Sequence, residues 1–289
     1  MDSIFDKITQ AINDFLISII EGNLSNMFSD VNDKVGTIAN EVGKTPQQWN
    51  ASIFSIIQNL SESVILPIAG LIITFVLCYE LISMITEKNN MHDIDTFMFF
   101  KYFFKACVAV LILSNAFNII MAVFDLAQHI VQNSSSVIGA NTNIDISAAL
   151  TDLSDTLETM GTGELFALML ETTLVSLCMK ILSVCITVVI FGRMIEIYLY
   201  SSVGAIPLAT MTNREWGQVG SNYLRGLIAL GFQGFFIMVC VGIYAALVNG
   251  FTVTTNIHST IFSVAAYTVV LCFTLFKTGA ISKSIFNAH

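Results

Sequence analysis

Between Val64 and Ile85 the chain reads VILPIAGLIITFVLCYELISMI, a run whose one charged residue is Glu80. A helix rising about 1.5 Å per residue needs about 20 apolar residues to cross about 30 Å of hydrocarbon. This run meets that length, and Pro67 falls in its first turn, where the missing amide proton costs nothing. Four further runs do the same: about Phe103 to Phe124, Leu168 to Phe191, Gly226 to Val248 and Ile257 to Phe276. Only helices and closed barrels satisfy their backbone in lipid. The sequence therefore predicts an all-α polytopic membrane protein with five transmembrane helices. Composition agrees: 55% of the residues are hydrophobic and 11% charged, against about a quarter charged in soluble domains.

Residues 1 to about 30 read as an amphipathic helix, with Ile4, Ile8, Ile12, Phe15 and Ile19 at helical spacing and an acidic opposite face. Asp2 and Asp6 stand where a secretory signal would carry positive charge. Asn32 to Gln48, with Gly36, Gly43 and Pro46, reads as a loop or hinge. Trp49 to Leu60 reads as a second amphipathic helix with Trp49 at the interface. The expected division is an external or interfacial N-terminal region, 1–62, and a transmembrane domain, 63–285, with a hydrophilic external loop, 125–164.

Lysine and arginine near span ends favour the cytoplasm. The Asp125 to Glu164 stretch has neither, so it is expected outside. Lys88, Lys101, Lys105, Arg193, Arg214, Arg225, Lys277 and Lys283 are expected inside. This gives an N-out, C-in arrangement, on condition that Ile195 to Met211 (IEIYLYSSVGAIPLATM) does not cross fully. Gly204 and Pro207 suit a re-entrant or broken helix there. A sixth full span is the competing arrangement.

Charged groups in lipid are costly, so Lys180, in mid-span, and Glu171, nine residues before it, are conduit candidates. The plainer reading is an interhelical pair or a snorkelling lysine. Arg193, Glu196, Gly204, Pro207 and Arg214 mark the irregular segment as a gate, pore loop or docking element, against a merely kinked helix. Gly226, Gly231, Gly234 and Gly242 suit close packing within the chain more than between chains. No catalytic motif is visible, no histidine spacing suits a metal, and no cofactor is implied. The six cysteines all fall in apolar runs, where small buried side chains are expected.

The order of these parts, and above all Arg193 and Glu196 followed by Gly204 to Ala209 ahead of a glycine-rich span, resembles the TrbL-type polytopic subunit of conjugative type IV secretion systems. This is the sixth subunit of the VirB apparatus, in the form carried by Gram-positive mobile elements. The resemblance covers roughly residues 60–285, and the long C-terminal extension of some relatives is absent. It implies a non-enzymatic channel or scaffold subunit working with a secretion ATPase and a coupling protein, a homo-oligomer, and transient contact with transferred single-stranded DNA, its relaxase or protein. A small secondary transporter or ion channel is the alternative.

Overall fold

The computed structural model describes residues 2–87, 96–139, 156–213, 215–249 and 257–288. Those residues form helices and turns, and no strand occurs among them. In chain order the helices are α1 (Asp2–Val42), α2 (Pro46–Trp49), α3 (Ala51–Leu60), a π-helical turn (Ser61–Ile65), α4 (Leu66–Glu87), α5 (Thr96–Ser114), α6 (Ala116–Gly139), α7 (Thr162–Val203), α8 (Ala205–Thr210), α9 (Gly217–Asn249) and α10 (Ile257–Ile285). Five stretches are long and apolar enough to cross a membrane: Ala51–Thr86, Phe97–Ser114, Thr162–Val203, Gly217–Val248 and His258–Ile285. The chain is a multi-pass membrane protein, as the apolar runs require.

The chain divides into two compact units, one of Met1–Val42, Gln132–Ile190 and Ile237–Lys277, the other of Gly43–Val131, Phe191–Phe236 and Thr278–His289. In the first unit α1 buries Leu16, Ile20, Leu24, Met27, Val35 and Ile38. Asn23 donates to the hydroxyls of Thr172 and Thr173 at 3.3 and 3.1 Å. His258 pairs with Glu171, and the hydroxyls of Tyr244 and Thr268 meet at 2.8 Å.

The second unit has a continuous core from Ala69 and Ile73 through Leu113, Ile120 and Met194 to Leu208, Leu227 and Leu230. Its α4 and α5 form a hairpin, tied by the Tyr102 hydroxyl on the Leu77 carbonyl at 2.9 Å and by the Lys105–Glu80 ion pair. The outer faces of these two helices, including Leu71, Ile82, Phe103 and Phe104, stay exposed, as suits lipid.

Several boundaries differ from expectation, each for a packing reason. The Asn32 to Gln48 loop is helical to Val42. Val35, Ile38 and Val42 continue the buried stripe, and this packing outweighs the roughly 1 kcal/mol cost of Gly36. The buried stripe is also not the expected one, because Ile4, Ile8, Ile12 and Phe15 are exposed.

The second apolar run breaks at Asn115, whose amide donates to the Leu111 carbonyl while the Ser114 hydroxyl takes that of Val110. Such side-chain bonds compete with the helix. The hydrophilic stretch starting at Asp125 is helical to Gly139, because Phe124, Ala127 and Val131 give it a buried face. The third apolar helix does not end at Phe191. That helix continues to Val203, with Met194, Ile197 and Tyr198 buried. Cys78, Cys107 and Cys178 are exposed rather than buried, at positions where an apolar environment suits them equally.

Candidate functional site

The site lies in the second unit, where α7 ends. The helix is interrupted there at Gly204, whose own backbone stays helical (φ −62°, ψ −24°): Pro207 has no amide to reach the Val203 carbonyl, and close packing demands the glycine. A Cβ on Gly204 would sit 2.1 Å from Ile120 Cδ1 and 2.3 Å from the Tyr223 hydroxyl, so only glycine lets α6 and α9 approach this closely. Pro207 falls in the first turn of α8, where its missing amide proton is tolerated. The break therefore lies at Gly204, three residues before the proline. Ala205, Pro207, Leu208 and Ala209 are all buried.

From this break the chain runs down the α4–α5 hairpin and comes back. Ala205 shares a cavity of about 270 Å³ with Ser61, Glu62 and Asn115, at the head of α4. Further along, Trp216 stacks on Phe75 and Tyr79, with centroids 5.6 and 5.7 Å apart. Tyr79 donates its hydroxyl proton to the Glu215 carboxylate at 3.1 Å. These partners lie roughly 20 Å below the head of α4 at 1.5 Å per residue. The turn is held by Asn213, whose side-chain oxygen accepts from the amides of Glu215 and Trp216 at 2.7 and 3.1 Å. Then Gly220 passes the Pro207 carbonyl so closely that a Cβ would lie 2.5 Å from its oxygen. Tyr223 donates to the Tyr200 carbonyl at 2.9 Å, back beside the starting point. Residues 204–213 and 215–223 thus form a broken arm that folds back along the hairpin. Irregular backbone at membrane depth requires such cover by protein or a water-filled cavity.

Three helix interruptions meet at the head of the arm: the π turn at Ser61–Ile65, the break at Asn115 and the break at Gly204. Short π segments recur at functional sites. On another side a groove of about 710 Å³ is lined by Tyr200, Ser202, Tyr223, Gly226 and Lys283. Lys283 donates to the Glu196 carboxylate at 2.8 Å at its margin.

Arg193 is 4% exposed. Its guanidinium donates to the Gly231 carbonyl at 3.4 Å, and its Nε has no partner among the described residues. Space for the guanidinium comes from Gly234, where a Cβ would stand 2.8 Å from it. A buried cation without a carboxylate is an expensive feature, and such residues in membrane helices mark function more often than folding.

The candidates therefore separate. Arg193, Glu196, Gly204 and Pro207 all lie in the second unit, each with contacts of its own, and Arg214 lies outside the described residues. Glu171 and Lys180 belong to the first unit. Glu171 is paired with His258 while its Oε1 is buried without a partner, and Lys180 is exposed. The sequence reading missed Lys283 as the partner of Glu196, Asn115 as a break, and the Asn213–Trp216 turn. Only the Asn213 turn had a local signal, a side chain suited to accepting from amides two and three residues ahead.

A polytopic helical membrane protein with a broken, folded-back arm is what these elements define. More specifically, the chain belongs to the family described as TrbL/VirB6 plasmid conjugal transfer like protein, which it matches over residues 31–205. That family is one of structural transfer-system subunits, so the chain is a conjugal transfer component of the membrane. The match takes in Lys180, Arg193, Glu196 and Gly204 and ends at the first residue of α8. No curated protein and no solved structure matches the chain.

Proposed function

We propose that this protein is a non-enzymatic channel or scaffold subunit of a type IV secretion machine in the plasma membrane, helping single-stranded DNA with bound relaxase, or protein, to cross. The observation that carries this reading is the broken, folded-back arm in a chain of the conjugal transfer family. Arms of this kind line conduits or gates, because lipid cannot satisfy their backbone. Arg193, Glu196, Gly204 and Pro207 act as its hinge and support. We include Arg214 with them on its sequence position alone.

In this reading the subunit forms homo-oligomers and contacts the secretion ATPase and coupling protein from the cytoplasmic side. The cations near the span ends, Lys101, Lys277 and Lys283 among them, face the cytoplasm. The cation-free stretch from Asp125 to Glu164 faces outward. Residues 1–62 serve as an amphipathic region supporting the spans of 63–285.

Deleting the gene from its own mobile element tests this. Transfer to a recipient falls to background and returns when the full chain is supplied in trans, and the tagged chain co-purifies with the ATPase and coupling protein. Undiminished transfer from the deletion strain contradicts the proposal.

A further inference from the structure

The outward face of α7 carries two parallel stripes. Leu174, Leu177, Ile181, Val184 and Val188 recur at spacings of three and four residues, each between 57% and 63% exposed. Such a stripe suits lipid. Beside it, at the same spacing, run Thr173, Ser176, Lys180, Ser183 and Thr187. Thr173 and Lys180 are exposed and the other three half-buried. The second stripe extends about 21 Å at 1.5 Å per residue. Asn23 of α1 already donates to its first member, Thr173, at 3.1 Å.

Lys180 is the difficulty that this stripe resolves. It stands near the middle of the apolar run Leu168 to Phe191, roughly 17 Å from either end by helical rise, farther than its side chain reaches. Among the described residues no carboxylate lies within ion-pair distance of it. Exposed to lipid at mid-span it would cost about 2.5–3.5 kcal/mol on insertion scales. Hydroxyls stand above and below it on the same edge of the helix, those of Thr173 and Thr187 bonded to carbonyls of their own helix at 2.7 and 3.0 Å, so the unpaired charge of Lys180 is what asks for water.

We propose that the Thr173–Thr187 stripe of α7 faces a water-filled path in the assembled machine, walled on its other side by neighbouring subunits. Lys180 gives that path a positive charge suited to anionic cargo. The path lies along the outside of a single chain, so it exists only in the assembly. This inference rests on the channel reading above and assigns a wall to it.

Cysteine accessibility in membranes containing the complete machine tests the inference, with the six native cysteines replaced and a water-soluble methanethiosulfonate as probe. Cysteines at Ser176, Lys180, Ser183 and Thr187 react at least about tenfold faster than those at Leu177, Ile181, Val184 and Val188, because the reactive thiolate forms in water and not in hydrocarbon. Equal rates on the two stripes, or uniformly slow ones, overturn the proposal. Lys180→Met lowers transfer while Lys180→Arg keeps it; full transfer by Lys180→Met overturns the role of the charge. Slow labelling alongside a deletion strain that cannot transfer removes the stripe and keeps the channel. A deletion strain that transfers normally removes the channel itself.

Discussion

The Tyr198 hydroxyl donates to the Pro46 carbonyl at 2.7 Å, fastening the turn between α1 and α3 to the flank of α7. Trp49 completes the joint, with its ring 5.5 Å from Phe191 and 5.9 Å from Tyr198. The turn is preformed by a capping box, in which the Thr45 side chain accepts from the Gln48 amide and the Gln48 side chain accepts from the Thr45 amide. Tyr198→Phe removes one buried hydrogen bond and costs about 1 kcal/mol. Trp49→Ala costs more, because two ring contacts go with it. Thermal unfolding in detergent measures both, and proteolysis between Gly43 and Asn50 reports the loosened turn.

Glycine substitutions separate packing from propensity. At Gly220 a Cβ meets the Pro207 carbonyl oxygen at 2.5 Å, and at Gly22 and Gly36 nothing lies within 4 Å. Gly220→Ala therefore displaces the arm and lowers the melting temperature. Gly22→Ala and Gly36→Ala raise stability by about 0.5–1 kcal/mol each, the usual helix-interior gain. Equal effects at all three positions are inconsistent with the close approach of α9 to α8.

Arg193 and Lys283 respond differently to removal of charge. Glu196 and Lys283 are each more than a third exposed, so Lys283→Met costs under about 1 kcal/mol in detergent, and the swap Glu196→Lys with Lys283→Glu restores it. Arg193 is buried with no carboxylate partner among the described residues, so Arg193→Met leaves the melting temperature unchanged or higher while transfer falls. A matching loss of stability and transfer would make Arg193 a structural residue.

The two ends of the charge pattern are read by labelling from outside intact cells. A cysteine at Ser135 reacts and one at Asn89 does not if the basic ends face the cytoplasm. The reverse pattern inverts the orientation.

The spans were legible because apolar length is a local property that lipid enforces: Val64 to Ile85 could be little else. The broken segment was legible for a related reason, since Gly204 and Pro207 together disfavour a straight helix. Its course was not. That Trp216 would lodge on Phe75 and Tyr79, or that Gly204 is demanded by Ile120 and Tyr223, depends on contacts far apart in sequence. Helix ends at Val42 and Gly139 were misjudged because polar residues and glycine are tolerated wherever one apolar stripe continues to be buried. The Glu196–Lys283 pair had no signal, since its members stand 87 residues apart in the chain.

The central claim is that residues 204–223 form a re-entrant arm that serves transfer. Conjugation frequency of the combined variant Gly204→Leu with Pro207→Leu, with amount and insertion of the chain verified in the same membranes, tests it most directly. Leucine at Gly204 cannot fit beside Ile120 and Tyr223, and leucine at Pro207 removes the residue that disfavours a straight continuation of α7. The account predicts normal insertion of the other spans and transfer at the level of the deletion strain. Transfer at the wild-type level would contradict it and make the segment an ordinary part of a continuous helix.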